Sequence, residues 1–332
     1  LWRWEVLSTT RKAIRPAAGF DISLNRHNTK PLMPRLYLGR FIDTMADMVS
    51  KSFALLSFLL FLMLPSSAAS PEPEVVSFRS GAITLQGTLY KPEGKGPFPA
   101  VVYNHGSAPG MLSKQAFEAL GPVFARHGWV FFGPYRRGQG LSASAGPYIG
   151  DEIAEAKKKG GMTAGAATMV RLLETDHLND QLAALAWPRT QSFVDPDRVA
   201  VAGNSFGGIE VVLGAERASY CAAVDSAGAA QSWEDAPEVQ ALMNRAVRNS
   251  RSPIFFFQAE NDYDLSPSRK LAAAMKDAGK EFEMKIYPPY GKSTQDGHTF
   301  GYFGSSVWGA DVFRFLDQHC HTPTTEPKIG HP

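Results

Sequence analysis

The chain has 332 residues, 44% of them hydrophobic and 20% charged, an ordinary globular balance with ample length for a sizeable core. The formal charge of +2 is concentrated at the start: residues 1–69 carry nine Lys/Arg against four Asp/Glu and leave −3 for the rest. No basic footprint for nucleic acid remains beyond that segment.

Residues 1–44 show no clean periodicity. Because the first residue is not Met, they read as upstream sequence translated in frame, or as a disordered segment. Met45 opens a more sensible beginning, with a basic lead ending at Lys51, an apolar run from Phe53 to Leu64, and then Ser66-Ser67-Ala68-Ala69-Ser70. This predicts a signal peptide over 45–69, cleaved near Ala69, and export of the mature chain to the periplasm or the medium. The run is short for a spanning helix, so no stable membrane span is expected after cleavage; retained, it would act as an anchor.

From residue 70 onward a single domain is expected. Residues 75–79 and 82–91 alternate and read as an antiparallel hairpin, followed by a turn over 91–97. Strands are predicted near 99–104, 129–133, 198–203, 221–225, 253–258 and 282–287, and helices near 113–127, 177–187, 206–217, 234–248, 266–278 and 305–319. Such alternation predicts an α/β fold with a mostly parallel eight-stranded sheet covered on both faces. Residues 144–175 exceed what this pattern needs. They hold a charged helix, Gly160-Gly161 and a small apolar helix, an insertion after the fourth strand that forms either part of a cap or a surface helical pair.

Gly203-Asn204-Ser205-Phe206-Gly207 lies between the apolar run Val199–Ala202 and the helix-like Ile209–Leu213. Strand, glycine-flanked serine and helix is the layout of a nucleophile elbow, in which bulk two residues from the serine on either side would collide with the neighbouring backbone. A base and an acid must follow in the order acid, then histidine. After the strand Pro253–Gln258 come Glu260, Asp262 and Asp264, and Asp225 ends an earlier strand. Asp262, Asp264 and Asp225 all qualify as the acid, while Glu260 reads as a solvated loop carboxylate. His298, in a loop after the last strand, is the candidate base. The other histidines read as structural: His127 at a helix end, His177 at a helix start, His319 and His321 at the end of the last helix, and His105 as a brace for its loop.

These pieces resemble the α/β-hydrolases, closest to the dienelactone hydrolase and prolyl-oligopeptidase-like branch. The match rests on Val194-Asp195-Pro196-Asp197-Arg198-Val199 leading into Gly203–Gly208, Asn104-His105-Gly106-Ser107, Arg136-Arg137-Gly138-Gln139-Gly140-Leu141-Ser142, Asn261-Asp262 before Leu265-Ser266-Pro267, and Gly297-His298. The resemblance implies a serine hydrolase with Ser205 as nucleophile, His298 as base and Asp262 as the acid, since Asp262 has the family spacing. Dienelactone hydrolases proper use cysteine where this chain has Ser205, so esterase-type or peptidase-type chemistry is expected ahead of dienelactone hydrolysis. The backbone N–H groups of Phe206 and Ser107 are the expected oxyanion donors. Arg136 and Arg137 would either grip a substrate carboxylate or brace the turn Gly138-Gln139-Gly140.

The expected activity is hydrolysis of a small-molecule carboxylic ester through an acyl-enzyme. A prolyl-oligopeptidase-type peptidase, a lactone hydrolase and a non-catalytic binding protein on the same scaffold are the alternatives. No cofactor or metal is expected, since there is no H-E-x-x-H, no histidine cluster and no complete phosphate-binding or dinucleotide fingerprint. Cys221 and Cys320 would either pair, in an exported chain, or leave Cys221 buried and free.

Overall fold

A computed structural model describes residues 73–108 and 111–321, without the side chains of 111–113. The expected leader over 45–69 lies outside the described residues, as do Pro109, Gly110 and everything after His321.

Among the described residues, eight strands form one sheet: β1 (Glu74–Ser80), β2 (Ile83–Tyr90), β3 (Phe98–Asn104), β4 (Val130–Pro134), β5 (Val194–Asn204), β6 (Ala223–Ser226), β7 (Ile254–Ala259) and β8 (Phe282–Tyr287). Their spatial order is β1-β2-β4-β3-β5-β6-β7-β8. The β1–β2 and β2–β4 pairings are antiparallel and the other five are parallel. The expected α/β architecture is therefore present. The central strands β4, β6 and β7 are buried at every residue, as continuous apolar strands covered on both faces should be, whereas the edge strand β8 is largely open.

The two-residue side-chain period splits the core into two layers. Ala100 and Val102 of β3, Val199 and Val201 of β5, and Ile254 and Phe256 of β7 point to one face. There they meet α3 (Asp176–Ala186), α4 (Phe206–Arg217), α5 (Pro237–Arg248) and α6 (Ser266–Asp277). Val101, Tyr103, Ala200, Ala202, Phe255 and Phe257 point to the other, against α1 (Met111–Arg126) and α9 (Ser305–His319). All parallel strands thus aim their C-terminal ends at one edge, where open α/β sheets gather their chemistry.

The insertion after β4 is α2 (Ile149–Glu174), broken at Gly160 and Gly161, the latter at a left-handed φ of 73°. Its two arms fold back on each other. A Cβ on Gly165 would stand 2.2 Å from the Lys157 stem, and Arg171 reaches Glu152 at 3.5 Å. Two short helices were not foreseen: α7 (Thr294–His298) and α8 (Phe300–Phe303). Hence His298 closes a helical turn rather than sitting in open loop. The physical cause is a capping box: Ser293 Oγ accepts from Asp296 N at 3.1 Å, and the Asp296 carboxylate accepts from Ser293 N at 2.9 Å.

Cys221 and Cys320 form a disulfide across 99 residues, so the free-thiol alternative for Cys221 does not hold. The bond fastens the end of α9 to the segment entering β6, which starts at Ala223 rather than at Cys221. Replacing both cysteines by serine is expected to cost about 2–5 kcal/mol, because a long loop of the unfolded chain loses its closure. Urea unfolding monitored by circular dichroism checks this, the midpoint falling relative to the oxidised wild type.

Candidate active site

The site is built where β5 turns into α4. Ser205 sits between them with φ 59° and ψ −120°, a conformation that costs a non-glycine residue about 1–3 kcal/mol. The chain is tightly crossed there. A Cβ on Gly203 would lie 2.4 Å from the Gly207 carbonyl oxygen, and one on Gly207 would lie 2.0 Å from the Asn104 carbonyl oxygen. The flanking glycines are thus demanded by backbone against backbone, which no side-chain motion relieves. The Ser205 N–H is anchored to the Ser226 carbonyl at 2.9 Å, and Ala227 and Ala229 just beyond are themselves left-handed, at φ 58° and 63°.

His298 and Asp262 converge on this turn. His298 Nε2 lies 2.9 Å from Ser205 Oγ, and His298 Nδ1 lies 2.8 Å from Asp262 Oδ1. An ionised carboxylate only accepts, so Nδ1 carries the proton and Nε2 is left to accept from the serine hydroxyl. Both side chains are buried, at 4% and 8% exposure, which keeps bulk water from competing for those bonds. Asp262 is itself held: Oδ1 accepts from Tyr263 N at 2.7 Å, and Oδ2 accepts from Gln258 Nε2 at 2.8 Å. Gln258 is oriented in turn by the Ser268 hydroxyl. Asn204, the residue before Ser205, donates to the His298 carbonyl at 3.1 Å. Asn261 Nδ2 donates to the carbonyls of Tyr290 and Ser293, tying the acid-bearing loop to the one that carries the histidine.

The competing carboxylates have other work. Asp264 Oδ1 accepts from the N–H of Ser266, the first residue of α6, and Glu260 is exposed. Asp225 accepts from Gly228 N at 2.9 Å and packs against Gly208 in the first turn of α4. Burial pushes its carboxyl up to about 7.

The expected oxyanion donors belong to the start of α4 and to the loop after β3. Phe206 opens α4, so its N–H has no acceptor within the helix. On the loop after β3, the Gly106 N–H is already taken by the Tyr302 hydroxyl at 2.7 Å, which leaves Ser107 as the next amide along. His105 is fully buried and its imidazole is held well below the usual range by burial and then by Arg136. Its Nε2 accepts from Arg136 N at 3.3 Å, while Nδ1 lies 2.7 Å from the Gly106 carbonyl, so it braces the loop as expected.

Neither arginine is free to grip a substrate carboxylate. Arg136 is 4% exposed and paired with Glu210 at 2.6 Å; Arg137 forks onto Asp180 and reaches Asp176. Of the other histidines, His127 stacks on Phe313, and His177 is buried and pushed down to about 3, by burial first and then by Arg136 and Arg137. Sequence reading did not find Asn204, Gln258, Tyr302, Tyr148 or Glu210 as supporting groups. Asn204, Tyr302, Tyr148 and Glu210 act through partners distant along the chain and leave no spacing signal, whereas Gln258 reaches Asp262 only four residues on. Among the described residues, no group of three or more His, Cys, Asp or Glu is arranged to hold a metal ion.

A model of the dienelactone hydrolase family matches residues 85–300, more than half of the chain. No curated protein matches. Several solved structures share the fold. An acylaminoacyl peptidase of Pyrococcus horikoshii superposes with a TM-score of 0.55 at 17% identity, covering 82% of this chain but only 45% of its own. A puromycin-hydrolyzing peptidase of Mycobacterium tuberculosis gives 0.55 at 18%, covering 81% and 42%. An esterase of Pyrococcus furiosus gives 0.55 at 14%, covering 76% and 94%. This chain therefore spans less than half the length of the two peptidases, and at these identities the likeness concerns the fold alone.

Asp225 provides a pH test of the site's wall. In the unfolded chain its carboxyl loses its proton near 3.8, and in the folded protein only near 7. The unfolded state therefore binds fewer protons across that window, so the Asp225 contribution is complete below about pH 4 and is lost as pH rises towards 7. Asp225→Asn keeps the acceptor for Gly228 and removes this loss. The Tm of the variant minus that of wild type is expected to grow from pH 4 to 7 and then level off, and a difference independent of pH would show a carboxyl that ionises normally.

Proposed function

From the premise that this chain belongs to the dienelactone hydrolase family, within the α/β-hydrolase superfamily, we propose that it is a serine hydrolase that cleaves small carboxylic esters through an acyl-enzyme. The observation that carries the reading is the unbroken hydrogen-bonded path from Ser205 through His298 to Asp262. As Ser205 Oγ attacks the ester carbonyl carbon, its proton passes to His298 Nε2. Asp262 holds the imidazole in the required tautomer and stabilises the cation that forms. The carbonyl oxygen, now an oxyanion, accepts from the N–H groups of Phe206 and Ser107. On collapse His298 gives its proton to the leaving alcohol, and a water activated by the same imidazole then releases the acid. The N-terminus of α4 directs its positive end at this centre, which favours the developing negative charge.

We also propose that the chain is exported through a signal peptide over 45–69. The apolar run and small-residue site support this, and so does the Cys221–Cys320 disulfide, a bond that persists in oxidising compartments. N-terminal sequencing of protein recovered outside the cytoplasm is expected to start near Ser70; full-length protein held in the membrane would point to a retained anchor.

Ser205→Ala is expected to lower turnover of short p-nitrophenyl esters by orders of magnitude without unfolding the protein, and Asp262→Asn by about 10³–10⁴-fold. Wild type is expected to take up a fluorophosphonate probe at Ser205. Unchanged turnover in Ser205→Ala would sink the proposal. A panel of esters, lactones and Pro-linked amides decides the leaving group: rapid amide cleavage with no ester preference would favour a peptidase.

A further inference from the structure

Four consecutive carbonyls on the loop after β3 are each captured by a side chain from the segment that follows β4. Arg136 Nη1 donates to the His105 carbonyl at 2.6 Å, and Arg136 Nη2 donates to that of Gly106 at 2.7 Å. The Tyr148 hydroxyl donates to the Ser107 carbonyl, and Gln139 Nε2 to that of Ala108 at 2.9 Å. Gln139 is itself oriented, since its Oε1 accepts from Arg136 Nη2 at 3.1 Å.

The Gly106–Ser107 peptide is the one that matters. In a trans peptide the C=O of one residue and the N–H of the next point in opposite directions. A guanidinium gripping the Gly106 carbonyl from the protein interior therefore aims the Ser107 N–H away from the interior. Gly106 adjoins the nucleophile: a Cβ added there would stand 3.4 Å from Ser205 Cβ.

Arg136 also touches the other side of the site. Its guanidinium carbon lies 4.7 Å from the centre of the Phe206 ring, and Nη1 donates to Glu210 Oε2 at 2.6 Å. Phe206 and Glu210 are one turn apart on α4, so a single planar group is clamped to the helix whose first amide is the other donor. One rigid fork thus spans the two backbones that carry the N–H groups.

We infer that Arg136 is the positioning residue of the oxyanion hole, setting the separation and direction of the Ser107 and Phe206 amides while touching no substrate atom. This rests on the serine hydrolase reading above. The alternative, an ion pair that only stabilises the fold, makes a different prediction, because a buried pair replaced on both sides by apolar residues often leaves stability unharmed.

The experiment compares Arg136→Lys, which keeps the charge but loses the fork, with the double variant Arg136→Met/Glu210→Leu, which removes both charges together. Circular dichroism and Tm establish that each is folded, and either one suffices if the other is not. With p-nitrophenyl acetate, kcat is expected to fall about 10²–10³-fold, the size expected of a lost oxyanion donor, while KM changes less than about threefold. Binding of a trifluoromethyl ketone, which forms an oxyanion on Ser205, is expected to weaken in parallel with kcat/KM. A folded variant of either kind with kcat and ketone affinity within about threefold of wild type would overturn the inference while leaving the hydrolase reading intact. A wild type that neither turns over the ester nor takes up a fluorophosphonate would overturn both.

Discussion

The crossing of backbone on backbone at Ser205 is the constraint on which the other features depend. The strand end at Gly203 and the helix start at Gly207 approach each other and Asn104 so closely that no Cβ fits, and the serine between them is forced to a positive φ. Strain of this kind persists only where the surroundings over-determine it. Here the Ser226 carbonyl holds the Ser205 amide, and the loop behind it carries two more left-handed residues, Ala227 and Ala229. The reward for holding the turn is geometric. It places Ser205 between the end of β5 and the first residue of α4.

Around this turn the protein joins its polar groups in hydrogen-bonded networks. Gln258 and Ser268 secure Asp262, Asn204 and Asn261 secure the loop of His298, and Arg136, Gln139, Tyr148 and Tyr302 secure the loop of Ser107. Each network holds its group in one orientation, and fixed dipoles are most effective in a water-poor site. The cost is buried charge. Glu210 is fully buried and its carboxyl is pushed up to about 7 by desolvation, even with Arg136 alongside pulling it down. A buried pair of this kind often contributes no more to stability than apolar residues of the same size would.

The insertion α2 belongs to the same arrangement. Its two arms are largely exposed or half-buried, but Tyr148, at its root, is bonded to the Ser107 carbonyl. A segment that exceeds the needs of the sheet is thus wired to the loop beside Ser205. The pair-or-cap question left by its composition has a structural answer as far as packing goes: it is a helical pair folded back at Gly160 and Gly161.

Local chemistry was legible in the amino-acid order. The apolar runs predicted the strands, the glycine spacing around Ser205 predicted the tight turn, and helix α4 has the expected bounds 206–217. Even the unforeseen α7 had a local signature, in Ser293 and Asp296 three residues on. What only the tertiary structure decided were the meetings of distant side chains. Asp262 rather than Asp225 reaches His298, Cys221 pairs with Cys320, and Arg136 turns inward to Gly106 and Glu210 instead of out to a ligand. Strand and helix periodicity is written within a few residues, because it depends on backbone geometry alone. Which buried polar atom satisfies which depends on how the sheet brings together segments tens to hundreds of residues apart, and no spacing along the chain encodes that.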